Sequence, residues 1–376
     1  MQLDSANSLV LPIAWRLAQA PAWKYPKRKE IRMIRTIVIP VDGSVHAQMA
    51  LDLGSDLAAK YDARLVLLYV ITHDDDVPDD IYDAAARELA EAESKSGGTG
   101  LTAQLLPRSK VLEQVGHKLL RDAKAFAKGK GVRQVESVIE AGDASKRILH
   151  QAKESAANLI VMGSRGCGKL KGLVMGSVSH TVFHLAPCSC VTVHQSGTEA
   201  GFEGLNSILV PTDGSEQADK AIDLASDIAA KYGARLTLAY VMSRGPSLES
   251  LRDSIDMSKL SETAREELVP GKHSIAEHLS SAFIPPVVSR AALEEIGEQV
   301  LARGKRAAEA KGVPAANTVL IDGDDPAHKI LQVAKREQAD FMVMGSRGLG
   351  GAEGLLAGSV SYKVTHAAPC TCLVVR

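Results

Sequence analysis

The chain of 376 residues predicts an α/β fold built twice: two tandem, doubly wound domains, each a five-stranded parallel sheet with helices on both faces. Three observations carry this. Arg35–Val70 and Asn206–Val241 align without a gap, and 21 of the 36 positions are identical, where about two would be expected by chance from ordinary composition. Within each copy, short apolar runs alternate with helical patterns, as parallel strands joined by crossover helices do. Both copies also carry G-x2-G-x9-G-S between an apolar run and a helical pattern: Gly163, Gly166, Gly176 and Ser177 in the first, Gly345, Gly348, Gly358 and Ser359 in the second. The expected divisions are an extension over 1–33, a first domain over 34–197 and a second over 205–376, with a linker from Gln195 to Gly204. This length suffices for two cores.

Each copy opens with an apolar strand, Thr36 to Ile39 and Ser207 to Val210, whose continuity suggests burial on both faces. Pro40-Val41-Asp42-Gly43-Ser44 and Pro211-Thr212-Asp213-Gly214-Ser215 then end the strand and turn the chain. Asp42 and Asp213 fall at the carboxyl end of that strand, where ligands bind in open parallel sheets. Each either bonds a ribose hydroxyl or base edge, or N-caps the next helix. That helix carries Ala50, Leu53 and Leu57, matched by Ala221, Leu224 and Ile228, and ends in Lys60-Tyr61 and Lys231-Tyr232. A second strand spans Leu65 to Val70 and Leu236 to Val241. Long excursions follow, over 71–108 and 242–288, differing in sequence between the copies; they read as lids, docking segments or unstructured loops. The first is acidic (Asp74, Asp75, Asp76, Asp79, Asp80, Asp83), and a solvated acidic loop is the reading preferred over a cation site. A helix (Val111, Leu112, Val115, Leu119; Leu293, Ile296, Val300), a third strand (Val135 to Ile139; Thr318 to Ile321), another helix and the fourth strand (Leu159 to Met162; Phe341 to Met344) lead to the glycine motif. Ala186-Pro187-Cys188-Ser189-Cys190 and Ala368-Pro369-Cys370-Thr371-Cys372 start the fifth strand. Before the first copy, Leu9, Ile13 and Leu17 share a helical face; a tail is preferred there over a membrane-surface or partner-binding helix.

Composition excludes several function classes. A net charge of −1 gives no broad basic field for nucleic acid. No apolar run is long enough to span a bilayer, and the basic cluster Lys24 to Arg32 follows the apolar patch Leu9 to Ala20 rather than preceding it, so no export signal is expected. Five cysteines without zinc-type spacing suit a reducing cytosol, and a cytoplasmic location is expected.

The glycine motif reads as a phosphate cradle. Glycine lets backbone amides approach an anion, and a helix N-terminus supplies unpaired N–H groups with positive partial charge. Ser177 and Ser359 are expected as N-caps whose hydroxyls also meet phosphate. The alternative is a tight strand–helix turn without ligand, made weaker by the repeated nine-residue gap. Gly163 to Lys169 nearly spells a P-loop, but Leu170 stands where Ser or Thr must hold Mg²⁺, and Gly351 replaces the lysine in the second copy. Arg165, Lys169 and Lys171 surround the first loop, against Arg347, Gly350, Gly351 and Glu353 in the second, so the first should hold a triphosphate more tightly. The Cys188/Cys190 and Cys370/Cys372 pairs read as core. His180 and His184, at i and i+4, have Tyr362 and His366 as counterparts, and a metal face is not favoured.

With P-x-D-G-S after strand one, the G-x2-G-x9-G-S loop and the A-P-C-x-C final strand, the chain resembles the universal stress protein family, in its tandem form and ATP-binding branch. The resemblance implies a Rossmann-like, adenine nucleotide α-hydrolase-like sheet with ATP, AMP or ADP at the strand ends, Mg²⁺ possible. It implies Pro40, Val41, Asp42, Val70, Met162, Gly163, Arg165, Gly166, Gly176, Ser177, Val178 and Ser179 around one nucleotide. Around the other it implies Pro211, Thr212, Asp213, Val241, Met344, Gly345, Arg347, Gly348, Gly358, Ser359, Val360 and Ser361. The aspartates would contact adenosine, Val70 and Val241 would offer backbone to adenine, and the glycines and serines would hold phosphate. It also implies pairing of the final strands within the chain, a homo-oligomer, an unknown protein partner and a stress-response regulator. A slow ATP hydrolase and a nucleotide-free assembly protein are the alternatives; no general base or Mg²⁺ ligand set is apparent in the sequence.

Overall fold

In the computed structural model, residues 34–72, 77, 79–95, 106–167, 175–194, 202, 204–243, 248–268, 288–349 and 358–376 are described. The first copy runs β1 (Thr36–Pro40), α1 (Val45–Tyr61), β2 (Arg64–Ile71), α2 (Asp79–Lys95), α3 (Arg108–Gly129), β3 (Val135–Ala141), α4 (Ala144–Glu154), β4 (Leu159–Gly163), α5 (Ser177–Leu185) and β5 (Ser189–Val193). The second runs β6 (Ser207–Pro211), α6 (Glu216–Tyr232), β7 (Arg235–Met242), α7 (Leu248–Asp253), α8 (Glu262–Glu267), α9 (Arg290–Glu309), β8 (Asn317–Asp322), α10 (Pro326–Arg336), β9 (Phe341–Gly345), α11 (Ser359–Ala367) and β10 (Thr371–Val375), with a 3-10 turn at Met257–Lys259 between α7 and α8.

Among the described residues ten strands join one sheet, in the order β3-β2-β1-β4-β5-β10-β9-β6-β7-β8. Within each copy every pairing is parallel; only the central β5–β10 pair is antiparallel, with Leu373 opposite Val191. The final strands therefore do pair within the chain. Because side chains alternate across a strand, each face has its own core. Ile37, Ile39, Leu65 and Leu67 join Ile208, Val210, Leu236 and Leu238 in one cluster with α1, α3, α6 and α9, continuous across the seam. On the opposite face, Val38, Val66, Leu68 and Ile160 pack with α4 and α5, while Leu209, Ala239 and Met342 pack with α10 and α11.

The seam carries reciprocal polar contacts. The Tyr61 hydroxyl donates to Asp227 Oδ2 at 2.5 Å, and Tyr232 donates to Asp56 Oδ2. Lys60 lies over the Tyr232 ring and Lys231 over Tyr61, at 4.4 and 4.7 Å from the ring centres. Each contact is thus repeated by the counterparts of its two residues, as across a two-fold axis. Arg376 makes a further tie, its guanidinium donating to the carbonyls of Phe183 and His184 at the end of α5. That is a good place for a cation, because the last helical carbonyls have no intrahelical partner.

Two expectations are corrected here. Where described, the excursions contain helices: Asp79, Asp80 and Asp83 belong to α2, where acidic residues favour the positive helix start, and α2 buries Ala85 and Ala86. The second excursion forms α7 and α8, whose Leu251, Ala264 and Leu268 join the core. The last strands begin at Ser189 and Thr371, after Pro187 and Pro369, rather than at the preceding Ala-Pro. Asp74 to Asp76, residues 1–33 and most of the linker lie outside the described residues.

Candidate functional site

The site grows from the turn after the first strand of each copy. Val41 N–H donates to Leu68 O, and Thr212 N–H to Ala239 O, both at 2.8 Å, so the chain is still anchored to the neighbouring strand as it leaves the sheet. Gly43 and Gly214 then take φ of +85° and +84°, which L side chains rarely adopt. The helix N-caps are Ser44 and Ser215, whose hydroxyls accept from Ala47 and Ala218 N–H at 3.1 and 3.2 Å. The aspartates are therefore not N-caps. Each accepts a backbone N–H two residues on, Ser44 onto Asp42 Oδ1 at 2.9 Å and Ser215 onto Asp213 Oδ1 at 3.1 Å, the Asx turn that short carboxylates favour.

That turn aims each carboxylate at the glycine motif. Asp213 Oδ2 accepts the Leu349 N–H at 2.7 Å. A Cβ on Gly166 would stand 2.5 Å from Asp42 Oδ2, and one on Gly348 would overlap Asp213 Oδ2. A Cβ on Gly163 would likewise meet His46 at 2.7 Å, and one on Gly345 would meet Gln217. Glycine is required at Gly163 and Gly345 because the strand end lies against the backbone of the first turn of α1 or α6.

The motif's two ends are tied to each other. Ser164 N–H donates to Val193 O and Ser346 N–H to Val375 O; Gly176 N–H donates to Ser164 O and Gly358 N–H to Ser346 O, all at 2.7–2.9 Å. The buried hydroxyls of Ser179 and Ser361 lie on the same carbonyls, at 2.8 Å from Ser164 O and 3.1 Å from Ser346 O. They hold the loop's shape. Ser177 and Ser359 are not N-caps either. Gly176 and Gly358 hold that position without a side-chain cap. The first intrahelical bonds are His180 N–H to Gly176 O and Tyr362 N–H to Gly358 O. The N–H groups of Ser177, Val178 and Ser179, and of Ser359, Val360 and Ser361, come before those bonds, where a helix start offers donors to an anion.

In the second copy these parts enclose a cavity of about 410 Å³. Its wall contains all twelve residues expected there: Pro211, Thr212, Asp213, Val241, Met344, Gly345, Arg347, Gly348, Gly358, Ser359, Val360 and Ser361. Sequence reasoning missed Ala239, Tyr240, Ser243, Asp324, Pro326 and Ile330, which also line it. Asp324 and Pro326 follow β8 directly, so a turn at the end of a strand beside the motif was the available signal. In the first copy, Pro40, Val41, Asp42, Val70, Met162, Gly163, Arg165, Gly166, Gly176, Ser177, Val178 and Ser179 occupy matching positions on β1, β2, β4 and α5. His46 joins them, its pKa lowered by burial and then by the Arg165 guanidinium. Lys169, Lys171, Gly350, Gly351 and Glu353 lie outside the described residues.

Other candidates resolve as structure. Cys190, Cys370 and Cys372 are buried, and burial pushes the Cys188 and Cys190 thiols up to about 12. His180 and His184 cluster with Tyr362 in tilted and edge-on contacts where α5 meets α11, with ring centres 4.7–5.6 Å apart. Among the described residues no three His, Cys, Asp or Glu side chains group as a metal site. No helix there is long and apolar enough to cross a membrane.

Fold and site together define a duplicated, Rossmann-like α/β protein with a glycine-motif cleft at the carboxyl ends of its strands. It belongs to the universal stress protein family, whose model matches residues 33–194 and again 204–376. A universal stress protein of Mycolicibacterium smegmatis is 26% identical over 342 residues, covering 90% of this chain and 96% of that protein. Universal stress protein YxiE of Bacillus subtilis is 33% identical over 163 residues, 43% of this chain and 99% of the relative. A crystal structure of a universal stress protein from Archaeoglobus fulgidus shares the fold, with a TM-score of 0.55 at 19% identity, covering 91% of this chain and 98% of the other.

Proposed function

We propose that the chain binds an adenine nucleotide, ATP or its AMP and ADP relatives, and acts as a stress-response regulator whose glycine motifs and flanking helices order around the ligand. The observation that carries this is the cavity in the second copy. Its size lies within the roughly 300–1,000 Å³ range of small-molecule sites, and it opens at the carboxyl ends of parallel strands. Its ends differ chemically. At one, Ala239, Val241, Ile330 and Met344 offer an apolar slot for a flat base. At the other, the Arg347 side chain and the first N–H groups of α11 suit phosphate. Asp213 follows β6, which lies between β9 and β7 in the sheet; each of its oxygens accepts one backbone N–H and keeps a further lone pair for a ribose hydroxyl. Mg²⁺ would accompany a triphosphate as its counter-ion.

Mass spectrometry of small molecules released from freshly purified protein tests the reading, with Asp42→Ala/Asp213→Ala as the control. An adenine nucleotide in the wild type and its loss in the double variant are expected. A protein that carries none, and gives no calorimetric signal with added ATP, ADP or AMP, would overturn it. A regulator whose loops order with ligand should also show ATP-dependent protection of 71–108 and 242–288 from proteolysis.

A further inference from the structure

The two copies are not equivalent at the base end of the cleft. Ala239 lines the cavity, and its register partner is Pro211. The residue with the same register in the first copy, opposite Pro40, is Leu68. The main-chain contacts match as well: Leu68 O accepts from Val41 N–H as Ala239 O does from Thr212 N–H. Leu68 is fully buried and packs in one cluster with Ile148 and Met162, the counterparts of the cavity-lining Ile330 and Met344. Three extra carbons therefore stand at the register position that lines the cavity in the second copy. Two polar differences point the same way. The second copy has the Thr212 hydroxyl where the first has Val41. It also has Asp324 between Gly323 and the N-cap Asp325, whereas Gly142 in the first copy is followed at once by the N-cap Asp143.

Resting on the nucleotide reading above, we propose that each chain seats one nucleotide, in the second copy, and that Leu68 closes the base end of the first cleft. Arg165 and the first N–H groups of α5 leave that cleft an anion site without a base slot. Leu68 and Ala239 are then the specificity-determining pair. A methylene forced into or removed from an apolar pocket changes binding by roughly 10–200-fold.

The test is calorimetric titration of the nucleotide-stripped full chain with ATP. The wild type should bind about one equivalent. Ala239→Leu should weaken that site by on the order of 100-fold, Leu68→Ala should add a second equivalent, and the exchange variant Leu68→Ala/Ala239→Leu should return to about one. Circular dichroism checks folding, and Leu68→Val with Ala239→Val replaces any variant that does not fold. Two equivalents in the wild type, or affinity within threefold of wild type in Ala239→Leu, would overturn the inference while leaving the nucleotide reading intact. No binding of ATP, ADP or AMP by the wild type would overturn both.

Discussion

Replacing Tyr61 and Tyr232 by Phe, singly and together, probes the seam without disturbing its packing. The rings stay, so the lysines above them keep their partners. What is lost is one hydroxyl-to-carboxylate hydrogen bond per substitution. Hydrogen bonds to charged groups contribute about 1.5–3 kcal/mol. Asp56 and Asp227 are only half-buried and regain water when released, so about 1–2 kcal/mol per site is expected, and about 2–4 kcal/mol for both if the sites add. Equilibrium urea unfolding at pH 7 measures this. The same bonds fix an alkaline signature. Burial, followed by the Asp227 and Asp56 hydrogen bonds, raises both phenol pKa values above their ordinary 10. A group whose folded pKa is raised contributes stability that is complete below its unfolded pKa and lost as pH climbs towards the folded value. Wild-type stability should therefore fall from about pH 10 upwards, and the double Phe variant should fall less steeply. Variants within about 0.5 kcal/mol of wild type, with an unchanged alkaline slope, would refute the argument that these bonds hold the copies together.

Other consequences are open to measurement. His194, 7% exposed, has its pKa pushed down to about 4, first by burial and then by His46, Arg165 and His366. Its stabilising contribution is present above pH 6.5 and is lost as pH falls towards 4, by about 3 kcal/mol in total; urea midpoints across that range should flatten in His194→Phe. Arg376→Ala removes the donors at the end of α5 and should cost about 1.5–3 kcal/mol in the same assay, with a value near zero counting against the tie. Ser361→Ala frees one pin of the second motif; a loss of about 0.5–1.5 kcal/mol and faster amide exchange at Ser346 and Gly358 are expected, and unchanged exchange would count against the pin.

The strands were legible because burial on both faces leaves an unbroken apolar run, as in Ile37 to Ile39 and Leu159 to Met162. The glycine motif was legible because a β-carbon at Gly163 or Gly345 would press into the backbone of His46 or Gln217, which cannot swing aside, so chain geometry enforces the residue. The acidic excursion misled because aspartate density masked the pattern Ile81, Ala85, Leu89 at helical spacing along α2. Capping after the first strand stayed open in the sequence because Asp42 and Ser44 are both good caps; only the turn at Gly43 decides which one meets the helix amides. The Tyr61–Asp227 pair joins residues 166 positions apart, and no local signal announces it. The Leu68/Ala239 difference was visible in the alignment, but it acquired meaning only with a cavity beside it.

The antiparallel meeting of β5 and β10 changes what kind of equilibrium holds the two halves together. Two separate chains joined along such a seam would obey mass action and part on dilution. Here the partner is tethered, so its effective concentration is fixed by the chain, and the joint should be indifferent to expression level. It also releases a constraint on inheritance. In a homodimer every substitution appears on both sides of the axis at once. In this chain one side can change while the other is kept, so two clefts of common origin are free to take up different ligands.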